Sequence, residues 1–123
     1  MPTLIACLST GKGTWAEVAK IMQSQPWDKI FLVTNSFGKE NFSFKNNNTY
    51  LIEISTQKET PDLVRDIKHQ IKDKISDFEI ALNFTSGSGK EHMAILEAVL
   101  QLGLNFRLIS AHNNTVETLG LEI

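Results

Sequence analysis

The 123-residue chain carries 12 Lys and Arg against 14 Asp and Glu, and its net charge of −2 leaves no general basic footprint for long nucleic acid. Its 41% hydrophobic and 21% charged residues are ordinary for one globular domain with a real core. With a single cysteine, no run near 18 uninterrupted apolar residues and no basic region leading into one, the expectation is a soluble, cytoplasmic protein without disulfides or membrane partners.

Thr3 to Leu8 is a short apolar run of the kind that makes a fully buried central strand. Cys7 sits inside it and reads as a small buried hydrophobe. A glycine loop follows, Ser9-Thr10-Gly11-Lys12-Gly13-Thr14. Thr14 and Glu17 have the Thr-x-x-Glu spacing of a capping box, and Trp15, Val18, Ala19 and Met22 recur as the inner face of a helix that Pro26 stops. Lys29 to Thr34 is a second buried strand. Asn35 to Asn48 reads as a polar loop anchored by Phe37, Phe42 and Phe44. Tyr50 to Ile54 is a third strand.

Thr60-Pro61 opens a second helix, threonine as N-cap and proline at the first position. Leu63, Val64, Ile67, Ile71 and Ile75 form its apolar face, and Arg65, Asp66, Lys68, Lys72, Asp73 and Lys74 its solvated side. Glu79 to Phe84 is the fourth strand. It feeds Thr85-Ser86-Gly87-Ser88-Gly89-Lys90, and a helical pattern runs from Met93 to Leu102, with Gly103 placed to end it. Phe106 to Ile109 is a fifth strand. Asn113-Asn114-Thr115 then makes a turn into an edge strand, expected to be antiparallel, in which Leu119, Leu121 and Ile123 alternate with polar residues.

Strands alternating with helices predict an α/β fold: a Rossmann-like three-layer sandwich whose mostly parallel sheet has five to six strands in the order 3-2-1-4-5-6. In that order strands one and four are neighbours where the winding reverses. Ligands in such sheets bind outside the carboxyl ends of the strands at that crevice. Both glycine loops should then face one pocket. Glycines let a ligand approach the backbone, helix starts offer unpaired N–H groups to an anion, and Lys12 and Lys90 supply a cation in each loop. The plainer alternative is that the loops only turn the chain.

Familiar motifs stop short. Gly11-Lys12-Gly13-Thr14-Trp15-Ala16 fits the dinucleotide pattern G-x-G-x-x-A, but the second strand ends in Thr34-Asn35-Ser36 where a carboxylate should meet a ribose. Ser86 to Lys90 fails the P-loop pattern, whose first glycine would fall on Phe84 and whose last hydroxyl would fall on Glu91. No spacing among His69, His92, His112, Cys7 and the carboxylates resembles a metal site, and no nucleophile elbow is present. No cofactor is expected.

Leu8-Ser9-Thr10-Gly11, then Asn83-Phe84-Thr85-Ser86-Gly87-Ser88-Gly89-Lys90 and the helix down to Leu102-Gly103, resemble a CRISPR-associated Rossmann-fold (CARF) domain. The family has a T-G-G-T-K-x-M-like signature after the fourth strand. Here the stretch is Ser86-Gly87-Ser88-Gly89-Lys90, and Met93 comes three residues after the lysine rather than two. The resemblance implies a homodimer that binds a cyclic oligoadenylate across its two-fold axis. Ser9, Thr10 and Gly11 would contact it from the first loop, with Lys12 beside them. Ser86, Gly87, Ser88 and Lys90 would do so from the second, with Thr85 and Gly89.

With no effector expected after the sixth strand, the resemblance implies a stand-alone sensor, a sponge or an excised fragment, or else a ring nuclease. In the last of these a ribose 2′-hydroxyl attacks its adjacent phosphate and leaves a 2′,3′-cyclic phosphate. That reaction needs only in-line alignment and charge stabilisation, for which Lys90, Thr10 and His92 are the candidates. A non-catalytic interaction domain, or a binder of another phosphorylated small ligand, is the remaining alternative.

Overall fold

A computed structural model describes residues 2–8, 12–43, 47–76, 79–112 and 115–119, with the side chains of Lys12 and His112 outside the description. The strands are β1 (Thr3–Cys7), β2 (Lys29–Thr34), β3 (Thr49–Glu53), β4 (Glu79–Asn83), β5 (Asn105–His112) and β6 (Thr115–Thr118). The helices are α1 (Trp15–Gln23), α2 (Ser36–Asn41), α3 (Thr60–Ile71) and α4 (Gly89–Gln101), and a 3₁₀ turn, Lys12–Thr14, leads into α1. The sheet order is β3-β2-β1-β4-β5-β6, parallel throughout except for the antiparallel β5–β6 pair. The expected α/β class and strand order are those of the structure.

Side chains alternate across β1 with the period of two that a strand imposes. Ile5 and Cys7 join Phe31, Val33, Ile80 and Leu82 under Leu63, Ile67 and Ile71 of α3 and Ala94, Ile95, Ala98 and Val99 of α4. Leu4, Ala6 and Leu8 join Ile30 and Leu32 under Trp15, Val18, Ile21 and Met22 of α1. β1 and β2 are therefore buried on both faces, which is why they read as continuous apolar runs. Thr34 Oγ1 donates to the Leu8 carbonyl at 3.0 Å, and Leu8 N–H to the Val33 carbonyl at 2.9 Å, so β2 clamps the point where β1 ends.

Four local expectations change. The stretch after β2 is not all loop. Asn35 caps α2 by accepting from Gly38 N–H at 3.0 Å, and Phe42 just beyond α2 is buried edge-on against Trp15. Helix α3 stops at Ile71 rather than continuing to Ile75, because Asp73 turns the chain with φ 65°. Its N-cap is Glu59, one residue before Thr60. The box at Thr14 and Glu17 does not form: α1 is entered from the 3₁₀ turn, Thr14 sits at ψ 0°, and its side chain makes no capping bond. The C-terminal signal of α4 holds. Gly103 has φ 71°, its N–H reaches the Leu100 carbonyl, and Leu104 N–H reaches that of Val99, the paired bonds of a Schellman ending.

Candidate functional site

β1 and β4 lie side by side, with Ala6 opposite Asn83, and the chain leaves both at the same end of the sheet. Asn83 is buried and ties this end together. Its Nδ2 donates to the Ile109 carbonyl of β5 and to Thr85 Oγ1, both at 2.9 Å, while its Oδ1 accepts from Thr85 N–H at 3.3 Å. This Asx turn fixes where the loop leaves the sheet. Ser86 is buried and Gly87 follows with φ 102°, a conformation that L side chains rarely adopt. A Cβ there would collide with Cys7 Sγ and lie 3.1 Å from His92 Nε2. The loop after β4 is therefore pressed onto the end of β1, and only glycine permits that approach.

Helix α4 starts four residues before the apolar pattern does, so Gly89, Lys90, Glu91 and His92 form its first turn. Ser88 is the N-cap. Its N–H donates to Glu91 Oε1 at 2.8 Å, its hydroxyl contacts the same oxygen at 2.9 Å, and Glu91 N–H returns a bond to the Ser88 side chain. The capping box expected at α1 belongs to α4. Glu91 is 6% exposed, and its second oxygen lies 3.7 Å from Cys7 Sγ, within reach of the thiol proton. Burial first, and then the charge and hydrogen bond of Glu91, push the Cys7 thiol well above its ordinary 9.0. Cys7 is thus a neutral packing residue, as its place in an apolar run implies.

His92 is held twice. Its ring stacks on Phe84 at 4.7 Å, and its Nε2 lies 2.7 Å from the Ser86 carbonyl. A carbonyl only accepts, so Nε2 carries the proton and Nδ1 is left as the basic nitrogen of the neutral ring. Lys90 points the other way along the sheet edge: its ammonium donates to the Thr56 carbonyl, between β3 and α3, at 3.0 Å. That bond is solvent-exposed, so a stronger acceptor could replace it at small cost.

Of the residues singled out in sequence, Thr85, Ser86, Gly87, Ser88, Gly89, Lys90 and His92 share one short segment over the end of β4. Ser9, Thr10 and Gly11 lie outside the described residues, as does the Lys12 side chain, and β1 leads into that stretch beside Gly87. His112 ends β5. The capping box leaves the N–H groups of Gly89 and Lys90 out of both of its bonds, so the first turn of α4 keeps two donors for an anion. The Glu91 carboxylate works against that by placing negative charge in the same turn. Glu91 and Asn83 are not among the candidate site residues of the sequence, although Ser88-x-x-Glu91 repeats the spacing of Thr14-x-x-Glu17.

Among the described residues no group of histidine, cysteine and carboxylate side chains is arranged to hold a metal, and no helix is long and apolar enough to cross a membrane. The chain matches no family model, and no curated protein matches its sequence.

Proposed function

We propose that this chain is a CARF-like sensor domain, working in the cytoplasm as a homodimer that binds a cyclic oligoadenylate between its subunits. The observation that carries the reading is the contact of Gly87 with Cys7, at the reversal of strand order between β1 and β4. It brings the glycine loop of one half of the sheet against the end of the strand that feeds the other. The N–H groups of Gly89 and Lys90 and the Lys90 ammonium supply donors for phosphate oxygens. Binding is favoured over cleavage by how the segment is held. The protonated nitrogen of His92 is spent on the Ser86 carbonyl, so that proton shapes the loop rather than serving a leaving group.

The test is to incubate the purified chain with cyclic tetra- and hexa-adenylate, follow the melting temperature, and separate the nucleotides afterwards. The sensor reading predicts a raised melting temperature with one ring, since a ligand bound only to the native state stabilises it, and recovery of that ring intact. Conversion to a shorter product ending in a 2′,3′-cyclic phosphate moves the chain to the ring nucleases. Stabilisation by neither ring, with stabilisation by another phosphorylated compound, ends the CARF reading.

A further inference from the structure

The ends of β2 and β3 open on a crevice of about 600 Å³ to which no motif pointed. Ser36 and Phe37 of α2 form one wall, the chain from Glu53 to Lys58 runs along the floor, and Asp66 of α3 closes the far side. The volume is that of a small-molecule site, and its place, outside the carboxyl ends of parallel strands, is where open α/β sheets take ligands.

Its chemistry is specific. The ring of Phe37 meets that of Trp15 at 6.0 Å, yet the residue is 38% exposed, so a ring braced by the core still offers a flat apolar surface. Glu53 lies opposite Thr34 in the β2–β3 register and pairs with Lys39 at 3.4 Å, while Asp66 pairs with Lys58 at 2.9 Å. Two carboxylates beside hydroxyls offer acceptors to a ligand rich in O–H donors. In nucleotide-binding sheets a carboxylate at a strand end accepts from the ribose diol. β2 ends without one, and Glu53 supplies it from the neighbouring strand. At the border stands a cation, because the carbonyl that holds Lys90 belongs to Thr56 on the crevice floor.

We infer that this crevice is a nucleoside subsite, with the base against Phe37, the ribose diol on Glu53, and the phosphate directed to Lys90 and the start of α4. It extends the proposed function and rests on that reading for the direction of the phosphate alone.

Adenosine and adenosine 5′-monophosphate, titrated at millimolar concentration against the full chain and followed by amide NMR, test it. Adenosine shifts the amides of Ser55 to Lys58, and Glu53→Gln and Phe37→Leu each weaken this about fivefold or more. The monophosphate binds about tenfold tighter, and Lys90→Ala removes that gain, so that the two probes bind alike. Absence of shifts at 55–58 with both probes, or shifts of equal midpoint in wild type and Glu53→Gln, overturns the subsite. The two readings fail separately. Cyclic rings that do not bind, beside adenosine that does, sink the proposed function alone. Rings that bind wild type, Glu53→Gln and Phe37→Leu equally sink the subsite alone.

Discussion

A methyl group on Gly87 would collide with the sulfur of Cys7. One residue closes a loop after the fourth strand, and the other ends the first strand; their contact joins the two halves of the sheet at the edge where ligands enter folds of this topology.

The first prediction follows from that contact. Gly87→Ala meets both a steric clash and a backbone at φ 102°, so it should cost roughly 2–4 kcal/mol in denaturant unfolding. Adding Cys7→Ala should return part of this, because it removes the colliding sulfur and leaves the backbone strain. A double variant no more stable than Gly87→Ala would show that the contact is not where the energy lies.

Gly103 is the control. Its φ of 71° is also left-handed, but nothing lies near an added Cβ. Gly103→Ala should therefore cost only about 1–2 kcal/mol, the strain of a non-glycine residue in that region. A loss equal to that at Gly87 would contradict the distinction between strain and collision.

Glu91 caps α4 and faces the buried thiol. Glu91→Ala should destabilise by about 1–2 kcal/mol, because the part-buried Ser88 capping bonds lose their acceptor. Glu91→Gln keeps the shape and removes the charge. It should bind a phosphorylated ligand several-fold more tightly than wild type, since a negative charge leaves the first turn of α4. Weaker binding in a folded Glu91→Gln protein would place the anion elsewhere.

Cys7 makes stability depend on pH. Its folded value is raised above the unfolded 9.0, so the folded state holds the thiol proton more strongly. The contribution is complete below about pH 9 and declines as pH rises through the folded value, at up to about 1.4 kcal/mol per pH unit. Urea unfolding from pH 8 to 10.5 should show a steeper loss in wild type than in Cys7→Ala. Parallel slopes would mean that the thiol is not shielded.

How far the chain could be read from its letters depended on what each signal needed. β1 and β2 were legible because strands buried on both faces must be apolar throughout, and Gly103 because a left-handed helix ending selects glycine. Thr14-x-x-Glu17 and Ser88-x-x-Glu91 have the same spacing, and only the second forms a box, because the entry angle of the chain decides and spacing does not record it. Six-residue α2 has too few turns for an apolar period to show. The buried carboxylate of Glu91 was hidden because its partner Cys7 is 84 positions away. The crevice over β2 and β3 was hidden likewise, since Phe37, Glu53 and Asp66 meet only in three dimensions.

The central claim is that loops from the two halves of the sheet form one anion site shared between two chains. Calorimetric titration of cyclic tetra- and hexa-adenylate into the purified protein tests it most directly, because stoichiometry reports the sharing. The account predicts saturable heat with one of the rings at one ring per two chains, greatly weakened in Lys90→Ala. No heat with either ring, or one ring bound per chain with Lys90→Ala unchanged, would contradict it.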